Sequence, residues 1–193
     1  MNIGIIDCGG ANLNSIFYSF KRLGINTIIS NSVNELSEMN AYVLPGVGSA
    51  DIVMNTLRKR DLINFIKGTN KPILGICIGM QILFDYSEEN QTRCLGIIDG
   101  DIEKFNVNDG LNVPQMGWNK VECDDDKDLN GHYYFANSYF NKDSKFTIGY
   151  SSYGNKFSSI IKKDNILGCQ FHPEKSSKAG ERFLTYFIKS IWT

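Results

Sequence analysis

The segment PILGICIGM, residues 72–80, joins an apolar run to a sharp turn. Its first part, 72–76, predicts a short buried strand, and a helix is predicted over 80–86. Between them lies a Gly-x-Cys-x-Gly pattern centred on Cys77, the cysteine form of the nucleophile elbow. In such a turn the helix N-terminus favours a thiolate and offers N–H groups to an anion. The alternative is a core cysteine beside two packing glycines.

Strands and helices alternate on the N-terminal side of this segment, and the apolar spacing predicts strands at 3–7, 26–30 and 41–44 and helices at 12–23 and 51–67. The second half, 95–170, consists of short Tyr-, Phe-, Ile- and Val-rich runs separated by Asn, Asp and Gly, which predict further strands, several of them antiparallel. A helix is predicted over 178–191. We therefore predict an α/β fold with a mostly parallel central sheet flanked by helices, formed by a single domain over 1–193.

Composition excludes several functional classes. Twenty Lys and Arg stand against 21 Asp and Glu, a balance that indicates neither nucleic-acid binding nor a basic membrane surface. The N-terminus resembles a first strand more than a signal peptide, and no apolar run approaches the roughly 20 residues that span a bilayer, so a cytoplasmic protein is predicted. Five irregularly spaced cysteines predict neither a disulfide framework nor a metal site, and no cofactor is expected.

The chain contains only two histidines that could serve Cys77 as a base, His132 and His172. His132 follows a glycine turn and has no suitably spaced acid, which favours a surface position. His172 begins the tripeptide His-Pro-Glu, and Pro173 favours an extended backbone before it. In an extended chain residues i and i+2 share a side, so Glu174 is predicted to orient the His172 ring.

Five motifs together carry a family resemblance: LPGVG at 44–48, GICIGMQ at 75–81, PQMGWN at 114–119, YFANSY at 134–139 and FHPEKS at 171–176. With this order and spacing the chain resembles the class I (triad) glutamine amidotransferases, which have a flavodoxin-like fold. Within that family it is most similar to the glutaminase subunits of imidazole glycerol phosphate synthase. The resemblance covers essentially the whole chain.

The resemblance implies that Cys77 attacks the side-chain amide of glutamine, with His172 moving protons and Glu174 orienting it. The N–H groups of Val47 and Ile78 would form the oxyanion hole, and the glycines beside Val47 would let that peptide flip as an activity switch. The residues implied to contact glutamine are Gly48, Gln81, Glu89, Ser138 and Tyr139.

The resemblance also implies a partner, a (β/α)₈-barrel cyclase that uses the ammonia to form imidazole glycerol phosphate and AICAR in histidine biosynthesis. The residues implied to face this partner in a heterodimer are Asn12, Met116, Trp118, Asn119 and Lys175. Gln115 and Asn137 depart from the histidines that the family often has there. Two alternatives therefore stay open: a paralogous glutaminase serving a bacterial surface-sugar amidotransferase, and a catalytically silent regulatory subunit.

Overall fold

The computed structural model describes residues 1–9, 12–46, 48–106, 110–124 and 126–191. Its strands are β1 (Asn2–Ile6), β2 (Asn26–Ser30), β3 (Ala41–Leu44), β4 (Ile73–Ile76), β5 (Tyr86–Ser87), β6 (Thr92–Arg93), β7 (Asp101–Lys104), β8 (Gln115–Val121), β9 (Gly131–Asn137), β10 (Tyr139–Phe140), β11 (Thr147–Tyr153), β12 (Asn155–Lys163) and β13 (Ile166–Cys169). Its α-helices are α1 (Leu13–Arg22), α2 (Val33–Ser37), α3 (Ala50–Lys59), α4 (Leu62–Gly68), α5 (Ile78–Gln81) and α6 (Ser177–Ser190).

A seven-stranded sheet with the order β11-β12-β13-β4-β3-β1-β2 forms the centre of the molecule. The five strands from β13 to β2 are parallel, whereas β11 and β12 extend the sheet by antiparallel pairing. A four-stranded sheet, β10-β7-β5-β6, and an antiparallel pair, β8-β9, complete the second half. This architecture confirms the predicted α/β fold with a mostly parallel sheet and added antiparallel strands.

The central strands are buried on both faces because helices cover them. Every residue of β3, β4 and β13 is buried, which explains why these strands are continuous apolar runs instead of alternating ones. Helix α1 packs inward through Ile16 and Phe20. Helix α6 does so through its own apolar stripe, which consists of Phe183, Leu184 and Phe187.

Two helix predictions are wrong. The helix predicted over 51–67 is two helices, because Asp61 adopts a left-handed conformation with φ of 54° between α3 and α4. The helix predicted over 80–86 begins earlier and ends at Gln81. The carbonyls of Ile82 and Leu83 accept hydrogen bonds from the backbone of residues 95–98, so tertiary pairing replaces the next helical turn.

The carboxyl ends of β1, β3, β4 and β13 meet at one edge of the sheet, where α/β proteins bind ligands. Cys77 follows β4 at this edge, and the segment with His172 and Glu174 follows β13. Packing here is tight: a Cβ on Gly79 would lie 1.8 Å from the carbonyl oxygen of Leu44. The turn after β4 is therefore pressed against the end of β3.

Membrane insertion and metal binding find no support in the part of the chain that the structure describes. Its helices are all too short or too polar to cross a bilayer. The same residues contain no group of three or more His, Cys, Asp and Glu side chains placed to hold a metal ion.

We expect Gly79→Ala to lower the free energy of unfolding by about 3 kcal/mol or more, because the nearest atoms that the added Cβ would meet are all backbone and cannot rotate away. Gly68→Ala is the matched control, since a Cβ there meets no atom within 4 Å. Urea unfolding measures both variants. Equal stability of the two would show that the turn relaxes to accept a side chain.

Candidate active site

Cys77 sits on a strained turn between β4 and α5. Its φ of 54° and ψ of −112° lie outside the regions that L-residues normally occupy. The turn is held by its own backbone, because the Cys77 N–H donates to the Cys169 carbonyl at 2.8 Å and its carbonyl accepts from Met80 and Gln81 at 3.0 Å. Strain of this kind persists at functional sites, where the surroundings over-determine it. The structure therefore has the geometry of the predicted elbow.

His172 and Glu174 lie together directly after β13. The His172 Nδ1 atom is 2.8 Å from Glu174 Oε1, and the Glu174 side chain is only 1% exposed. The predicted reason for this contact was incomplete: His172 is extended, with φ of −99° and ψ of 96°, but Glu174 lies in a 3₁₀ turn, Pro173–Lys175. The 3₁₀ turn, and not an extended i, i+2 arrangement, places the Glu174 carboxylate beside the Nδ1 atom of His172.

The environment of His172 favours its charged form. Burial lowers the pKa of His172, but the charge and hydrogen bonding of the Cys77 thiolate, together with the Glu174 carboxylate, outweigh it and raise that pKa to about 10. At the four other thiols, of which Cys94 is only partly buried, burial is the largest influence on the pKa. Burial raises the pKa of Cys8 and Cys94 to about 12 and that of Cys123 to about 11, and it also raises the pKa of Cys169.

Asn12 is a second partner of the buried carboxylate. Its Nδ2 donates to Glu174 Oε1 at 2.9 Å, from a left-handed backbone with φ of 85° at the start of α1. Asn12 was predicted only to face the partner, because nothing in the spacing of two residues 162 positions apart indicates this contact. Asn12 therefore helps to fix the carboxylate that holds His172.

A cavity of about 230 Å³ opens beside Cys77. All five residues predicted to contact glutamine line it, together with Cys77 and Ile78: Gly48, Gln81, Glu89, Ser138 and Tyr139. Three lining residues, Pro114, Ala136 and Asn137, were not predicted as ligand contacts. The carbonyl of Ala136 lies 4.0 Å from Cys77 Sγ, a proximity that follows only from the position of β9 over the elbow.

Glu89 provides the negative charge of this cavity. Its Oε2 accepts a hydrogen bond of 2.8 Å from the Ala50 N–H at the start of α3, and burial raises the pKa of its carboxyl group. Two backbone carbonyls of the cavity are already engaged by the protein. The Tyr139 carbonyl accepts from both Gln81 Nε2 and Asn137 Nδ2, at 2.9 Å each. The Ser138 carbonyl accepts from the Phe105 N–H at 3.0 Å.

The predicted oxyanion hole is described only in part, because Val47 lies outside the described residues. Ile78 is at the first position of α5, against the loop after β3: a Cβ on Gly46 would lie 2.5 Å from Ile78 Cβ. Close packing thus explains Gly46 without a peptide flip. Gly48 has a φ of +101°, which an L-residue rarely adopts, so the flip hypothesis now depends on Gly48.

Three of the residues predicted to face a partner lie on one exposed surface together with Tyr134, which was not predicted. We call this surface the Trp118 face: Met116, Trp118, Tyr134 and Lys175. Met116 is 67% and Trp118 56% exposed. The Trp118 ring packs edge-on against Tyr134 at 6.3 Å between centroids, and Lys175 Nζ lies 5.7 Å from the Tyr134 ring. Asn119 is less available, because its Nδ2 donates to the Ser152 carbonyl at 2.9 Å.

Comparison with known proteins gives one consistent result. The family model described as glutamine amidotransferase class-I matches residues 4–190. The Campylobacter jejuni protein named imidazole glycerol phosphate synthase subunit HisH 2 is 46% identical over 194 residues, which cover 99% of this chain and 100% of that protein. Imidazole glycerol phosphate synthase subunit HisH of Haemophilus influenzae is 40% identical over 197 residues, covering 99% and 98%. A solved structure described as a glutamine amidotransferase shares the fold, with a TM-score of 0.78 at 17% identity and 99% coverage of both chains.

The raised pKa of His172 predicts a pH dependence of stability. A folded-state pKa of about 10 against the ordinary value of 6.5 gives a contribution that is complete below pH 6.5 and is lost as the pH rises towards 10. We expect Glu174→Gln to reduce this loss by about 1 kcal/mol, since part of the shift comes from the carboxylate. Urea unfolding between these pH values measures it, with the exposed Glu181→Gln as control. Equal pH slopes for the two variants would contradict the assigned ion pair.

Proposed function

Because the chain belongs to the class-I glutamine amidotransferase family, we propose that it hydrolyses glutamine through Cys77, His172 and Glu174 and delivers the ammonia to a partner enzyme. One observation carries the assignment of residues: the strained Cys77 is within hydrogen-bonding reach of the His172 imidazole, which Glu174 holds at 2.8 Å. A core cysteine needs neither the strain nor the buried carboxylate. The match to the family over residues 4–190 supports the action of the chain as one amidotransferase domain.

The first half-reaction forms a thioester. The Cys77 thiolate attacks the carboxamide carbon of glutamine, and the carbonyl oxygen becomes an oxyanion. The Ile78 N–H at the start of α5 and the Val47 N–H are the proposed donors to it. As the C–N bond breaks, protonated His172 gives its proton to the leaving nitrogen, so that ammonia departs and a glutamyl thioester remains.

The second half-reaction regenerates the enzyme. His172, now neutral, takes a proton from water, and the resulting hydroxide attacks the thioester carbon. The C–S bond breaks, glutamate leaves, and the Cys77 thiolate faces the imidazolium again. Glu174 keeps the ring oriented throughout and stabilises its charged form, while Asn12 holds Glu174 in place.

The cavity fits a small zwitterionic amino acid. The carboxylate of Glu89 offers a counter-charge to the α-ammonium group of glutamine. None of the described residues that line the cavity is a Lys or Arg that would compete for this carboxylate. Gly48 and Gln81 line the same space, and Ser138 and Tyr139 close it with backbone groups. In this proposal the enzyme works in the cytoplasm, where the Cys77 thiol stays reduced.

A partner is part of the proposal because ammonia released into water is protonated and loses its nucleophilicity. The relatives that span the full chain are named as subunits of imidazole glycerol phosphate synthase. We therefore propose that the Trp118 face docks on a (β/α)₈-barrel cyclase, which uses the ammonia to form imidazole glycerol phosphate and AICAR in histidine biosynthesis. Trp and Tyr are enriched in interface hot spots, and here an exposed Trp packs against a Tyr.

Glutamate release from glutamine tests this function, assayed with and without the cyclase subunit and its nucleotide ligand. We expect strong stimulation by the cyclase and loss of all activity in Cys77→Ala. Cys123→Ala is the matched control, since this buried thiol lies away from the cavity and its loss leaves the triad intact.

Each other outcome of this assay has a defined meaning. Activity that depends on Cys77 but ignores the cyclase would retain the triad and move the protein to the surface-sugar branch of paralogues. Absence of Cys77-dependent glutamate under every condition would leave a silent regulatory subunit and overturn the proposal.

We expect Trp118→Ala to weaken cyclase binding by about tenfold or more while leaving stability nearly unchanged, because the ring is 56% exposed. Titration calorimetry measures the affinity and urea unfolding the stability. Ile29→Ala is the control, an exposed apolar residue on β2 at the opposite edge of the central sheet. Equal affinities of the two variants would remove Trp118 from the interface.

A further inference from the structure

Gln170 is a fully buried polar residue directly beside the proposed nucleophile. It is 0% exposed and follows β13, two positions before His172. Its Nε2 lies 3.7 Å from Cys77 Sγ, within hydrogen-bonding distance for sulfur. Its Oε1 accepts a hydrogen bond of 2.9 Å from Gln81 Nε2. Both ends of this side chain are therefore engaged inside the site.

The orientation of the Gln170 amide follows from a backbone carbonyl. The Tyr139 carbonyl oxygen can only accept, so the Gln81 atom 2.9 Å from it must be the NH₂ nitrogen. The same nitrogen faces Gln170 at 2.9 Å, so the Gln170 atom there must be its oxygen. The NH₂ group of Gln170 is thereby directed at Cys77 Sγ.

We propose that Gln170 is a further residue of the catalytic machinery, whose NH₂ group hydrogen-bonds the Cys77 thiolate and stabilises it, in an orientation locked by Gln81 and the Tyr139 carbonyl. The inference rests on the proposed role of Cys77 as nucleophile. A donor to a buried anion favours the charged form, and Cys77 is only 4% exposed. Unlike His172, an amide does not titrate, so this donor is present at every pH.

The same contact serves both half-reactions. Before attack, it raises the fraction of Cys77 present as thiolate. When the thioester breaks down, the C–S bonding electrons return to sulfur, and the amide NH₂ stabilises the thiolate as leaving group. The hydrogen bond is strongest in the two states where sulfur is anionic and weakest in the thioester between them.

The test is the pH profile of Cys77 alkylation by iodoacetamide, followed by mass spectrometry of the peptide that contains Cys77. In Gln170→Met we expect the midpoint of the profile to rise by about one pH unit and the rate at neutral pH to fall by about tenfold, as the loss of one charge-assisted hydrogen bond predicts. In Gln170→Glu we expect a larger rise, because the isosteric carboxylate repels the thiolate. A purely structural role of Gln170 would not make the midpoint rise more in Gln170→Glu than in Gln170→Met.

Gln115→Met is the matched control, since Gln115 is also a buried glutamine, 3% exposed, but does not line the cavity. Its profile should coincide with that of the unmodified protein. If Gln170→Met fails to fold, Gln81→Met tests the same idea, because it frees the Gln170 amide to rotate and should move the midpoint upward by less. Unchanged profiles in the folded Gln170 or Gln81 variants would overturn the inference.

Alkylation requires no glutamine, so this result is separate from the test of the proposed function. A shifted profile without Cys77-dependent glutamate release would keep the Gln170 contact and reject glutaminase activity. Normal glutamate release with unshifted alkylation profiles would retain the glutaminase activity and reject the role of Gln170.

Discussion

The contact between the turn after β4 and the end of β3 is the constraint on which the rest of the site depends. Because only glycine fits where Gly79 faces the Leu44 carbonyl, α5 begins close to the loop that follows β3. Gly46 repeats the arrangement from the other side against Ile78. The loop after β3 and the start of α5 are therefore in direct backbone contact. Cys77 is left in its strained conformation, with the start of α5 facing the cavity.

The sequence predicted the central sheet well, because its signal is local. Apolar runs such as 41–44 and 73–76 are buried on both faces, and each is followed at the same sheet edge by residues of the site. The failures are those where tertiary contacts override local pattern. Asp61 breaks a periodic helix by adopting a left-handed backbone, and the chain after Gln81 pairs with residues 95–98 instead of completing a helix. The spacing of apolar residues predicts neither the break at Asp61 nor the end of the helix at Gln81.

In the site, too, the features with a local sequence signal were predicted and those that depend on tertiary contacts were not. Motifs identified Cys77 and His172, which the fold then brings to the ends of the adjacent strands β4 and β13. No motif indicates that Asn12 would bond Glu174 or that Gln170 would face sulfur. Gln170 left one weak signal, since it lies two positions before His172 in a nearly extended segment and thus on its side of the chain. The contact of Asn12 required the fold itself, because α1 and the turn after β13 meet only in three dimensions.

The departures at Gln115 and Asn137 concern the strand pair beside the cavity and not the triad. The two residues are opposite each other on β8 and β9, and both are buried. Each has a side-chain oxygen that no donor in the described part of the chain contacts. Asn137 also lines the cavity and shares the Tyr139 carbonyl with Gln81. In the proposed reaction, these amide oxygens would give the region beside the cavity acceptors where the family often has imidazole rings, without altering Cys77 or His172.

Strand β9 connects the chemistry to the outer surface. Its Tyr134 carbonyl accepts from the His172 N–H at 2.8 Å, and its Ala136 carbonyl lies next to Cys77 Sγ. On the other side of the same strand, the Tyr134 ring packs between Trp118 and Lys175. If the proposed partner docks on the Trp118 face, a displacement of β9 would reach the backbone contacts of both His172 and Cys77. Strand β9 thus contacts both the exposed aromatic surface and the catalytic groups, while its alternate residues Tyr133 and Phe135 are fully buried in the core.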